Sequence, residues 1–134
     1  MLNEVAGQLI VAEQVQFNNK EKYHNVHHVY NHVTVPIYPA AVVTEVLVKL
    51  LFPESMIGEV EHRTPAVVVR NASGKILSYV ALQPVLNMRP AGRIPGIDMF
   101  GHVRFPVIEE GVYEYSLELE DHAICKTYIT VSEG

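Results

Sequence analysis

The sequence has few of the residues that mark disulfide-rich, membrane-spanning or nucleic-acid-binding proteins. Its 134 residues include one cysteine and no tryptophan, so Cys125 cannot form an internal disulfide. No apolar run approaches the roughly 18 residues that a membrane-spanning helix needs, and Lys20 is the first basic residue, so no signal peptide is predicted. Lys and Arg number 10 against 15 Asp and Glu, a balance that argues against binding nucleic acid. We expect a cytoplasmic protein without a membrane or nucleic-acid partner.

The residues that are abundant favour β-structure in one folded domain. Hydrophobic residues make up 49 % of the chain, and valine alone occurs 21 times. Branched side chains such as valine pack well in pleated strands and are poor helix formers. The length is near that of an average domain. Residues 1–134 are therefore predicted to form a single domain.

Alternation of apolar and polar residues predicts strands along most of the chain. It is clearest over 112–119, where Tyr and Leu alternate with mostly polar residues. Residues 40–52 also show helical spacing, but their even positions form an unbroken β-type face, which favours a strand over the alternative of a helix. Pro and Gly make 87–96 a long loop. The predicted strands are 9–17, 26–37, 40–52, 59–70, 76–85, 97–105, 112–119 and 122–131.

This pattern predicts an all-β fold, an antiparallel β-sandwich of about seven or eight strands. Short strands are separated by turn signals, and no strand–helix alternation of a parallel α/β sheet is present. The strongest local signal is a hairpin around the turn at 71–75. A tyrosine near the start of a late strand, Tyr113, is typical of sandwiches in which its hydroxyl binds a nearby backbone group.

Three short motifs resemble those of a family of small bacterial β-sandwich proteins of unknown function. They are Ala12-Glu13-Gln14-Val15 in the first strand, Ser73-Gly74-Lys75 in the central turn and Glu110-Gly111-Val112-Tyr113 before the last hairpin. The resemblance extends over essentially the whole chain and implies a β-sandwich. It implies no particular activity.

Four histidines between residues 24 and 32 raise the possibility of a metal site. On a strand, His28 and His32 lie roughly 13 Å apart, too far for the two to bind one zinc ion at bonds of about 2 Å. On a helix, ligands four residues apart would converge, but the valines of this segment disfavour a helix. The sequence therefore predicts no metal site, with His24, His28 and His32 as the weak candidates.

Basic residues in and after the 87–96 loop are the best candidates for binding a small ligand. Loops on a rigid sandwich often carry binding residues, and a guanidinium group pairs well with a carboxylate or phosphate. The candidates, for an anionic ligand, are Arg89, Arg93, His102 and Arg104.

No catalytic residue and no cofactor is predicted, because the sequence has no Gly-x-Ser-x-Gly, His-Glu-x-x-His or phosphate-loop motif. Residues 60–104 carry a net charge of +4 and residues 105–134 a net charge of −6, so these segments either steer a partner or neutralise each other within one sheet. We favour a non-catalytic binding or assembly module that binds a protein partner or self-associates. The alternative is a protein that binds a small anionic ligand, or a hydrolase, using residues around 87–104.

Overall fold

Nine strands account for most of the chain. A computed structural model describes residues 4–134. Within these residues, no helix is long and apolar enough to cross a membrane. A 3-10 turn (Glu54–Met56) and one short helix, α1 (Ile57–Val60), complete the secondary structure between β4 and β5. The strands are β1 (Ala6–Asn18), β2 (Tyr23–Val29), β3 (His32–Val35), β4 (Ala40–Leu51), β5 (Pro65–Arg70), β6 (Ile76–Ala81), β7 (Gly96–Val107), β8 (Gly111–Leu119) and β9 (His122–Glu133).

The strands form two sheets, which confirms the predicted all-β sandwich. One sheet has four strands in the order β2-β1-β4-β7, and the other has five in the order β3-β9-β8-β5-β6. Every pair is antiparallel except β3–β9, which is parallel. Residues 40–52 form a strand, as predicted, because alternate residues of β4 face the core and the others face outward.

Three predicted strands differ most from those of the structure. The segment 26–37 is divided between β2 and β3, which lie in different sheets: the Tyr30 N–H donates to Val11 in one sheet, and Asn31 accepts from Thr130 in the other. The alternating segment 26–37 therefore contributes one strand to each sheet, and the number of strands is nine.

The other two departures come from proline and local helix formation. The segment predicted as a strand from 59 begins as one only at Pro65, because residues up to Val60 form α1, whose Val60 is fully buried. The strand predicted over 76–85 ends at Ala81, shortly before Pro84, which has no N–H to donate to a ladder.

Side chains from both sheets fill one hydrophobic core. Its largest fully buried members include Tyr115, Phe105 and Leu117. The Tyr115 hydroxyl pairs with Thr44 Oγ1 at 2.8 Å, which joins the two sheets through a buried hydrogen bond. The Tyr113 hydroxyl donates to the Glu109 carbonyl at 2.7 Å, as the sequence predicted.

Ion pairs within and beside the five-stranded sheet join the two oppositely charged segments. Arg70 of β5 lies 2.8 Å from Glu118 and 3.6 Å from Glu114, both on β8. Arg63 pairs with Glu120 in the same way. Ion pairs between neighbouring elements therefore neutralise part of the opposite charge that the two segments carry.

Candidate functional site

The distal half of the β1–β2 hairpin leaves the four-stranded sheet. The pairing of β1 with β4 ends where Ala12 lies opposite Glu45, and beyond that point β1 pairs with β2 alone. At the same level β2 is irregular, because His28 adopts a positive φ of 54°, a conformation uncommon for residues other than glycine. We call residues 13–28 the arm.

The arm folds back across the outer face of the sheet. A straight continuation of the β1–β4 register would place Phe17 opposite Ala40. Instead, its ring lies 4.9 Å from that of His24, which is 6.0 Å from the ring of Phe100. Phe100 lies on the outer face opposite Leu47, seven residues and roughly 23 Å along β4 from Ala40.

Glu45 holds the base of the arm against the sheet. One carboxylate oxygen, Oε1, accepts a hydrogen bond from the Val15 N–H at 2.6 Å. The other, Oε2, lies 2.8 Å from Nδ1 of His102 on β7. The Glu45 side chain is 16 % exposed, so these hydrogen bonds are largely shielded from water.

The loop between β6 and β7, residues 82–95, is held in a defined conformation. Its Val85 is fully buried, and the backbone of Val85 exchanges hydrogen bonds with His62 and Arg63. The Asn87 side chain accepts from the N–H groups of Arg89 and Gly96 at 3.1 and 3.0 Å. These contacts keep the neighbouring residues of the loop in place and turn their side chains outward.

The arm and the loop enclose a cleft of about 770 Å³. Its volume is in the range of small-molecule sites, which combine apolar walls with a few polar groups. Leu86 and Met88 are 45 % and 68 % exposed, so the loop presents apolar surface to this space. The residues that line the cleft are Phe17, Lys22 and His24 of the arm, His62, Gln83, Pro84, Leu86, Met88 and Arg89 of the loop side, and Ile97 and Asp98 at the start of β7.

The charged groups of the cleft leave an excess of positive charge. Asp98 lies 2.9 Å from the guanidinium of Arg89 and 3.8 Å from the ammonium of Lys49. The Lys22 ammonium donates to the amide oxygen of Asn19 at 3.0 Å, and it forms no ion pair within residues 4–134. Burial lowers the pKa of His24 and outweighs the opposing influence of Asp98.

The four basic residues predicted to bind a ligand lie in different places. Arg89 lines the cleft, whereas Arg93 lines a separate shallow groove beside Phe52. His102 contacts Glu45 at the base of the arm. Arg104 is exposed on β7, six residues and roughly 20 Å from the cleft residue Asp98. Ligand binding by this set stays a prediction, and only Arg89 shares the cleft.

The weak metal candidates are also separated. His24 lines the cleft, His28 lies 3.1 Å from Glu13, and His32 forms hydrogen bonds with Thr130 and Ser132. Across residues 4–134, no group of three or more His, Cys, Asp or Glu side chains is arranged to hold a metal ion.

The sequence did not point to most of the residues that line the cleft. The one usable signal was at Met88, an apolar residue in the segment 87–96 that was predicted as a loop. Phe17 and Lys22 carried none, because their position depends on the bend of the arm. Among the sequence candidates, Arg89 from the ligand-binding set and His24 from the weak metal candidates both line the cleft.

Comparisons with known proteins support the fold. The chain matches no family model and no curated protein. It resembles an immunoglobulin-like protein from Pseudomonas aeruginosa, with a TM-score of 0.50, 12 % identity and 96 % of each chain covered. A putative ApaA protein from Bordetella pertussis is 12 % identical over 94 % of this chain and 95 % of that one, with a TM-score of 0.34. The resemblance to bacterial immunoglobulin-like proteins is at the level of the fold.

Proposed function

We propose that this protein is a non-catalytic binding module that takes a small, largely apolar ligand into the cleft between the arm and the β6–β7 loop. The observation that carries the proposal is the exposed apolar surface of Leu86 and Met88, which lines a space of ligand size together with Phe17. Exposed apolar side chains grouped in a concavity gain free energy when a ligand covers them.

The fixed conformation of the loop adds to this proposal. Val85 anchors the loop in the core, and Asn87 joins both ends of the segment that follows. A site whose walls are held before binding loses less conformational entropy when the ligand enters. The apolar wall is therefore available without a large rearrangement of the loop.

Titration with Nile red, a neutral dye that fluoresces in apolar surroundings, tests the proposal. We expect saturable binding that the double substitution Leu86→Gln with Met88→Gln weakens by more than about tenfold, since each lost side chain contributes about 1 kcal/mol when half covered. Both residues are exposed, so folding should be unaffected. Ile108→Gln is the matched control, because Ile108 is 75 % exposed and lies outside the cleft. Equal dye affinity in the double variant and the control would rule out this site.

Self-association is the second candidate function. Strand β6 is the last strand of the five-stranded sheet, and it exposes Ile76 and Tyr79 at 53 % and 63 %. An edge strand offers unpaired backbone groups to which a second copy of the chain can add its own β6. This pairing would make a two-fold symmetric dimer.

Light scattering across a concentration series, with and without a chelator, measures the assembly. We expect a chelator-insensitive dimer that Tyr79→Lys dissociates, since a lysine at a sheet edge opposes pairing. Tyr128→Lys is the control, because Tyr128 is similarly exposed at 55 % but lies on β9, inside the sheet order. A monomer at every concentration would end the assembly proposal.

A further inference from the structure

We propose that the ligand of the cleft is an amphipathic anion whose carboxylate or related group is held by Lys22 of the arm and Arg89 of the loop. The inference rests on the proposed function, because it concerns the chemistry of the ligand that enters the same cleft. It follows from the distribution of charge around the cleft and from how each charged group is already partnered.

The single carboxylate of the lining is already satisfied by cations. Asp98 Oδ1 lies 2.9 Å from Arg89 and 3.8 Å from Lys49. A cationic ligand would have to compete with both of these side chains for Asp98. The lining carries two cations, Lys22 and Arg89, against this one anion, so a ligand of negative charge balances the site.

Lys22 is placed at the cleft by the turn that carries it. Its N–H donates to the Asn18 carbonyl at 2.7 Å, and the N–H of Glu21 donates to the Asn18 side chain at 2.8 Å. Its ammonium has three N–H donors, and its partner Asn19 is a neutral amide. The charge of Lys22 is therefore available to a ligand on the arm side of the cleft.

Arg89 lines the same cleft from the loop. Its N–H donates to Asn87 Oδ1 at 3.1 Å, and one guanidinium nitrogen binds Asp98. A guanidinium group has five donors in a planar arrangement that suits carboxylate and phosphate oxygens. The remaining donors can bind an anion while the pair with Asp98 stays intact. With its anionic group held by these two cations, the ligand would place its apolar part against Leu86 and Met88, which line the same cleft.

Three compounds with one tail and different head groups test the inference by displacement of Nile red. Octanoate, octanol and octylammonium share an apolar chain and differ in charge. We expect octanoate to bind at least about tenfold more tightly than octanol, and octylammonium to bind most weakly. A carboxylate loses more hydration free energy than an alcohol when it enters a protein. Tighter binding of octanoate than of octanol therefore requires that cations of the site offset this loss.

The substitution Lys22→Gln tests whether the Lys22 ammonium binds the carboxylate of octanoate. We expect it to weaken octanoate by about tenfold and to leave octanol unchanged. Lys20→Gln is the matched control, because Lys20 lies in the same exposed turn but does not line the cleft. Equal losses in the two variants would overturn the role of Lys22.

The outcomes separate the inference from the function on which it rests. Nile red binding with equal affinity for octanoate and octanol would overturn the anionic ligand and leave the apolar cleft intact. No saturable binding of the dye would overturn both. Sedimentation with vesicles of phosphatidylcholine and phosphatidylglycerol provides a further arm, in which pelleting without octanoate binding would assign the anion to a lipid surface and overturn the proposal of a free ligand.

Discussion

Substitution of Glu45 by alanine is expected to release the arm from the sheet. The Glu45 carboxylate accepts from the Val15 N–H at 2.6 Å and lies 2.8 Å from His102. Both contacts join the arm or β7 to β4, and the Glu45 side chain is mostly covered. Glu45→Ala removes both contacts and leaves the Val15 N–H without its acceptor.

The size of the effect follows from the type of hydrogen bond. A hydrogen bond to a charged group contributes about 1.5–3 kcal/mol, which corresponds to about 10- to 100-fold in the equilibrium between the closed and the open arm. Glu45→Gln is the matched variant. Its amide oxygen still accepts from Val15 without the charge, so we expect a loss of less than about tenfold.

Hydrogen exchange followed by mass spectrometry measures the opening. Amides of the arm, residues 13–28, should exchange about 10- to 100-fold faster in Glu45→Ala, while amides of β8 keep their protection because β8 lies in the other sheet. Nile red should also bind more weakly, since the arm supplies Phe17 to the cleft. Exchange of the arm within about twofold of the wild type would show that Glu45 does not hold it.

Three further predictions concern stability. Tyr115→Phe and Thr44→Val should each lower the free energy of unfolding in urea by about 1–3 kcal/mol, because each leaves a buried hydroxyl unpaired. The double variant should lose less than the sum of the two single losses. Strictly additive losses would contradict a direct hydrogen bond. Tyr113→Phe should cost about 1 kcal/mol in thermal unfolding through loss of its bond to a backbone carbonyl, and the exposed Tyr128→Phe should cost nothing measurable; equal effects would refute the assignment. Burial lowers the pKa of His24 from its ordinary 6.5, so the unfolded chain binds that proton more readily and the free energy of unfolding falls as the pH is lowered through 6.5. His24→Gln should reduce this fall, and identical pH dependence in the two proteins would show that His24 does not contribute.

The strands could be predicted from the sequence where the type and spacing of neighbouring residues determine the local structure. Alternation over 112–119 predicted the strand β8, and the valines of 40–52 predicted a strand against the helical spacing that competed with it. Tyr113 was predicted to bind a backbone group because the residue type and its place before a strand suffice for that contact.

The predicted strand boundaries were wrong where tertiary packing determines the ends of a strand. The alternation of 26–37 continues through the point at which the chain passes from one sheet to the other, since both sheets require the same alternation of inward and outward residues. The residues before Pro65 contain apolar positions that suit either a strand or the short α1, and burial of Val60 decides for the helix.

Some residues of the candidate site could be predicted from the sequence and others could not. Arg89 could be proposed from the sequence because a basic residue in a Pro/Gly loop is a local feature. Phe17 and Lys22 could not, because they are more than 60 residues from Arg89 along the chain and line the same cleft only because the arm leaves the sheet after Ala12. Arg93, although four residues from Arg89, faces a different groove.

Side-chain period and valine content act locally, so the amino-acid sequence was enough to predict that most of this chain forms β-strands. The path of the arm, residues 13–28, over the outer face of its own sheet, and the cleft that it encloses with the β6–β7 loop, became visible only in the folded chain. The arm is joined to the sheet by a hydrogen bond between the Glu45 carboxylate and a backbone N–H 30 residues away from it, and no local pattern encodes such a pairing.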